Sequence, residues 1–108
     1  MFKIVTLYRK VENEAQLEEF FSATHLPLAE KLPGLRKSEV SRVTGKPGGQ
    51  SRFHLMYELY FDSFDAFHQA LGTEIGKQFM VALLPWNEAR LIDWFYADSF
   101  SEELAIDD

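Results

Sequence analysis

Alternation between apolar and polar positions is the first regularity along the chain. Residues 2–9, FKIVTLYR, are rich in β-branched and aromatic side chains and alternate, which predicts a strand. Phe2, Ile4 and Tyr8 fall on one side of it, Val5 and Leu7 on the other. The period then changes. Leu17, Phe20, Phe21, Thr24 and Leu28 recur at offsets of three and four, predicting an amphipathic helix over 14–31. Asn13, three residues before Gln16, resembles a capping-box start. Pro27 interrupts this helix, because a proline ring clashes with the carbonyl four residues back, here Ala23, and pushes Leu26 away from helical angles. A break or kink is therefore expected at Thr24–Pro27, with resumption through Lys31 and an end at Pro33 and Gly34.

Leu35–Thr44 reads as a second strand, GKPGGQ (45–50) as a turn, and Arg52–Phe61 as a third strand closing a hairpin. The third strand sets Phe53, Leu55, Tyr57, Leu59 and Phe61 against His54, Met56, Glu58 and Tyr60. Asp62, with Asp65 after it, is the expected cap of a second helix carrying Phe64, Phe67, Leu71, Ile75 and Phe79. Gly72 and Gly76 are expected to divide that helix, and Pro85 to close it. Arg90–Ala97 is a fourth strand, with Ile92, Trp94 and Tyr96 opposite Leu91, Phe95 and Ala97. An acidic tail, expected to be loosely held, starts near Ser99.

The order β-α-β-β-α-β is that of the ferredoxin-like sandwich, an α+β fold with a four-stranded antiparallel sheet and two helices on one face. The 108 residues make one domain, 1–108. Two helices shelter one sheet face, yet the alternation leaves both faces largely apolar. At about 25 cal/mol per Å² of apolar surface, a wet sheet face forfeits many kcal/mol. A homodimer packed through the helix-free sheet face is the expected remedy.

Composition sharpens this picture at a few points. There is no cysteine, which excludes disulfides, thiolate metal sites and cysteine nucleophiles. The net charge of −6 and the scattered basic residues argue against a nucleic-acid partner. No apolar run approaches ~20 residues, so no membrane span is expected. Lys3 and Thr6 interrupt the opening MFKIVTLYRK, which does not read as a signal peptide, and a cytoplasmic location is expected. Ten phenylalanines exceed what a core of this size needs and point to an interface or a pocket.

Candidate chemistry centres on Thr24-His25-Leu26-Pro27-Leu28-Ala29. Histidine titrates near neutrality, and His25 lies at the proline-made break between Phe21 and Leu28. The plainer reading of His25 is a side chain that satisfies freed carbonyls and fixes the kink. Tyr8 and Arg9 end the first strand, where a phenol and a cation can orient a carbonyl or stabilise an enolate; a rim ion pair is the plainer alternative for Arg9. His54, Glu58 and Tyr60 share a row that lines either a cavity or a dimer surface. His68 borders an apolar stripe, and the two tryptophans read as core. There is no phosphate loop, no G-x-S-x-G elbow and no H-E-x-x-H, and three dispersed histidines make no metal site. No cofactor is expected.

Three strings, KIVTLYRK, FFSATHLPLAEKLPGLRKSEVSRV and HLMYELYFDSFDAFHQAL, together resemble the EthD family, named after a small protein linked to ethyl tert-butyl ether degradation. The likeness runs from Lys3 to about Phe95, with T-H-x-P-L, L-P-G-L and E-L-Y-F-D-S as its most specific parts. It implies a dimeric α+β barrel. It also implies a small hydrophobic molecule bound between sheet and helices, in support of a degradation pathway. The wider superfamily contains muconolactone isomerases, polyketide-type cyclases, dehydratases and small haem-degrading monooxygenases. By analogy, His25 occupies the T-H-x-P position and would act as acid/base in a cofactor-free isomerase, cyclase or dehydratase, with Tyr8 and Arg9 beside it. A third reading, haem handling, lacks the Asn, Trp and His constellation of that group.

Overall fold

The structure, a computed structural model, describes residues 1–105. The last three residues of the acidic tail, 106–108, lie outside the described residues. Strands β1 (Phe2–Arg9), β2 (Lys37–Arg42), β3 (Phe53–Phe61) and β4 (Ile92–Asp98) form one antiparallel sheet in the order β2-β3-β1-β4. Helices α1 (Glu14–Phe20), α2 (Leu26–Glu30), α3 (Phe64–Leu71) and α4 (Glu74–Glu88) supply the second layer. This is the expected ferredoxin-like α+β topology. Among the described residues, no helix is long and apolar enough to cross a membrane.

β1 is central because it pairs on both sides, Ile4 opposite Leu59 of β3 and Tyr96 of β4. Its inner side chains Phe2, Ile4 and Tyr8 join Leu55, Tyr57, Leu59 and Phe61 of β3 in one buried cluster. Leu17 and Phe21 enter that cluster from the first helical region, and Phe67, Phe79 and Leu83 from the second.

Four local expectations are corrected. First, the helix does not break at Thr24–Pro27. Phe21–His25 forms a π-helical turn, the Leu26 amide donates to the Phe21 carbonyl, and Leu26 keeps helical angles of φ −63° and ψ −48°. The wider turn removes the need for an amide at Pro27, which sits in the first turn of α2, where its missing N–H is harmless. Second, Ser63 rather than Asp62 caps α3, accepting the Ala66 amide at 3.1 Å, while Asp62 pairs with Arg36. Third, the second helical region divides only once, at Gly72. Thr73 caps α4, and Gly76 lies inside it, where a Cβ would fall 2.1 Å from the Ala70 carbonyl oxygen. Fourth, Pro85 does not end α4, which continues to Glu88. The bond that Pro85 cannot make would go to Val81, an exposed residue, so water can serve that carbonyl.

The strict alternation of β3 also fails at its start. Tyr8 pairs with Leu55 but Arg9 with Phe53, so His54 is the extra residue of a β-bulge. It therefore leaves the row of Met56, Glu58 and Tyr60. Beyond β4, Phe100 and Leu104 of the tail are exposed and form no regular structure.

Candidate functional site

The π turn places His25 at the centre of the core. A π turn carries one residue more than an α turn, and such turns recur at functional positions. His25 is 1% exposed. Its Nδ1 lies 2.5 Å from the hydroxyl oxygen of Tyr8, itself fully buried on β1. Four rings surround the imidazole: Tyr57 at 5.0 Å between centroids, Phe21 and Phe79 at 5.6 Å, and Tyr8 at 5.7 Å. Tyr57 and Phe21 stand perpendicular to it.

This dry surrounding fixes protonation. Burial alone pulls the His25 pKa down to about 3, because the box holds no counter-charge for an imidazolium. Burial likewise pushes the Tyr8 phenol far above its ordinary range, and it takes the Tyr57 phenol up to about 12, with the Glu30 carboxylate adding to the effect. At neutral pH the group is an uncharged imidazole among uncharged phenols.

Among the described residues, two polar atoms of this inner layer have no hydrogen-bond partner, His25 Nε2 and Trp94 Nε1, while the Tyr57 hydroxyl lies near the Ser38 side chain of β2. Trp94 belongs to β4 and helps line a cleft of about 210 Å³ between that edge strand and α4, together with Ile4, Met80, Phe95 and Tyr96. The cleft wall does not include His25. Phe79 stands between them, 5.6 Å from the imidazole and 6.4 Å from the Trp94 ring.

The other sequence candidates divide. Tyr8 and Phe21 stand in the box with His25, and Leu28 packs on the same core. Arg9 sits at the rim, its Nη2 3.0 Å from Asp93, as the plainer alternative had it. His54 turns to α1, its Nε2 2.8 Å from Glu18, which also takes a two-pronged bond from Arg42. Those two partners, Arg42 first, hold the Glu18 carboxyl at a pKa of about 2. Glu58 pairs with Lys3 at 2.7 Å on the helix-free face, and the Tyr60 ring on that face lies under the ammonium groups of Lys3 and Lys37. Glu58, Tyr60 and His54 are thus not brought to His25. Sequence reasoning missed Tyr57, Phe79, Met80 and Trp94 as site residues. All four carry the same signal as ordinary core positions, and only the unfilled indole N–H of Trp94 sets one of them apart.

Comparison with known proteins gives the family and the fold. The family model described as the EthD domain matches residues 12–82. A crystal structure of an ethyl tert-butyl ether degradation (EthD) family protein from Bacillus halodurans is 33% identical, with a TM-score of 0.85, covering 93% of this chain and 99% of that one. The chain belongs to the EthD family. An uncharacterised 11.0 kDa protein from the thcB-thcC intergenic region of Rhodococcus erythropolis is 22% identical over 77 residues, covering 71% of this chain and 75% of that protein. A dimeric ferredoxin-like protein of unknown function from Jannaschia sp. CCS1 shares the fold at 16% identity, with a TM-score of 0.65 and coverage of 92% of this chain and 100% of that one.

Proposed function

We propose that this protein binds a small, largely apolar molecule between the sheet and α4, without a resident cofactor, in support of a degradation pathway. One observation carries this reading. An interior built of rings and aliphatic side chains keeps two buried polar atoms unfilled, one on the cleft-lining Trp94 and one on His25. Each such atom costs about 1–3 kcal/mol while it lacks a partner. Unfilled polar valence beside an apolar cleft is the ordinary make-up of a small-molecule site. Phe79 is then the partition that a ligand displaces to reach His25. Titration with a bicyclic hydrocarbon, followed by the Trp94 indole N–H resonance, tests the reading. A saturable shift supports it, and an unmoved resonance up to the solubility limit overturns it.

The working unit in this reading is a homodimer packed through the helix-free faces. In its support, Leu7, Met56, Phe95 and Ala97 leave an apolar stripe between the ion pairs of that face. The Jannaschia protein of the same fold is dimeric. Met56→Glu is expected to yield a monomer by light scattering. A wild-type monomer at micromolar concentration would end the proposal.

A second reading keeps His25 as acid/base for an enolisable lactone, on the strength of its hydrogen bond to Tyr8. It requires an imidazolium in a site that holds His25 neutral, which disfavours proton abstraction. His25→Gln separates the readings, since lactone turnover lost with ligand binding kept would establish the enzyme. For haem handling the expected result is no Soret band on titration with haem.

A further inference from the structure

We infer that the site selects an uncharged ligand through an oxygen that only accepts hydrogen bonds, such as a ketone, lactone or quinone carbonyl, and that His25 holds it as a neutral Nε2–H donor of one fixed tautomer. This rests on the binding reading above and specifies its ligand.

Hydrogen accounting in the buried box gives the tautomer. The Tyr8 hydroxyl is un-ionised and always carries its hydrogen. Its partner is Nδ1 of His25. If Tyr8 donates, Nδ1 accepts, the imidazole proton sits on Nε2, and one valence of the pair stays unfilled: the Nε2–H. If Nδ1 carries the proton instead, Tyr8 must accept. Two valences then stay unfilled, the Tyr8 hydrogen and the Nε2 lone pair. Each unfilled buried group costs about 1–3 kcal/mol, so the first arrangement prevails. His25 Nε2 is a donor.

The remaining free atom of the inner layer agrees. Trp94 Nε1 can only donate. A carbonyl oxygen, with two lone pairs and no hydrogen, matches this set. A hydrocarbon leaves the donors empty. A carboxylate would find the donors but no cation, because Arg9 is held by Asp93 at the rim and Lys3 by Glu58 on the opposite sheet face. Burying that charge unpaired costs far more than the donors return. The box thus reads polarity without reading charge.

The same accounting separates this role from proton transfer. To abstract a proton, Nε2 would first need a free lone pair, which requires the Nδ1–H tautomer and strands the Tyr8 hydrogen, and the abstraction would then leave an imidazolium that burial opposes. Held as a donor, His25 orients a carbonyl and leaves it intact.

The experiment pairs ring ¹⁵N NMR of His25 with titrations of 1-tetralone, tetralin and tetralin-1-carboxylate on the full chain. The expected spectrum shows a protonated Nε2 and a bare Nδ1 from pH 8 to pH 5. Expected affinities place 1-tetralone at least tenfold above tetralin and at least tenfold above the carboxylate. His25→Phe should bring the ketone-to-hydrocarbon ratio to about one. Should that variant not fold, Tyr8→Phe gives the second reading, mixing the tautomers and shrinking the ratio. Equal binding of ketone and hydrocarbon, or a protonated Nδ1, overturns the inference and leaves the apolar cleft standing. If neither ketone nor hydrocarbon binds, the binding reading falls, and this inference with it.

Discussion

The two faces of the sheet use polar groups in opposite ways. On the helix side, Tyr8, His25 and Tyr57 lie in a dry aromatic layer and keep their groups uncharged. On the helix-free side, Lys3 and Glu58 form an ion pair at 2.7 Å, and nearer the rim the Arg9 Nη2 pairs with Asp93 while its Nε stays without a partner. The Glu58 hydrogen bond holds the Lys3 ammonium above the usual lysine range. The difference teaches where selectivity resides. A charged pair that is already satisfied offers little to a ligand, whereas a neutral group short of one partner waits for it.

The comparison breaks most visibly where packing separates cleft from box. Phe79→Ala should lower stability by about 3–5 kcal/mol, as for other buried aromatic truncations, and join the cleft to His25. Denaturant unfolding measures the first effect, and a new apolar-probe site the second.

Acid titration sharpens the contrast. The folded-state His25 pKa of about 3 lies below the ordinary 6.5, so the unfolded chain binds a proton that the folded one refuses. Stability is therefore full above pH 6.5 and falls as the pH drops from there toward 3, at up to about 1.4 kcal/mol per pH unit for one proton. His25→Gln should flatten that slope by one proton between pH 6 and 5. A slope equal to wild type in that window would contradict the neutral box.

Tyr8→Phe removes the hydroxyl and strands Nδ1, for an expected loss of about 1–3 kcal/mol in chemical denaturation. On the other face, Glu58→Gln should cost about 1 kcal/mol or less, because the glutamine oxygen still accepts from the Lys3 ammonium. If the two losses came out in reverse order, the contrast between the faces would be wrong.

Much of this was legible in the sequence. Strand and helix periods gave the βαββαβ order, and alternation put Leu55, Tyr57, Leu59 and Phe61 on one side of β3, the side the helices cover. The string T-H-x-P drew attention to His25 through an expected helix break that the structure replaces with a π turn. Proline was read as a break because the rule concerns an α-helix, and a π turn escapes it by adding a residue. His54 was misplaced because alternation assumes an unbulged strand, and the bulge depends on how β3 registers against β1. Glu58 and Tyr60 share the predicted row, but it faces away from the helices.

By itself, then, the chain determined its element order, which residues share a sheet face, and its family, because these follow from local periodicity and from short runs of residues. Tertiary structure alone decided that Tyr8 meets His25 seventeen positions away, that four rings close over the imidazole, and that Nε2 is left without a partner. Hydrogen-bond partners and dryness arise between elements, and no window of the sequence contains both sides of such a contact.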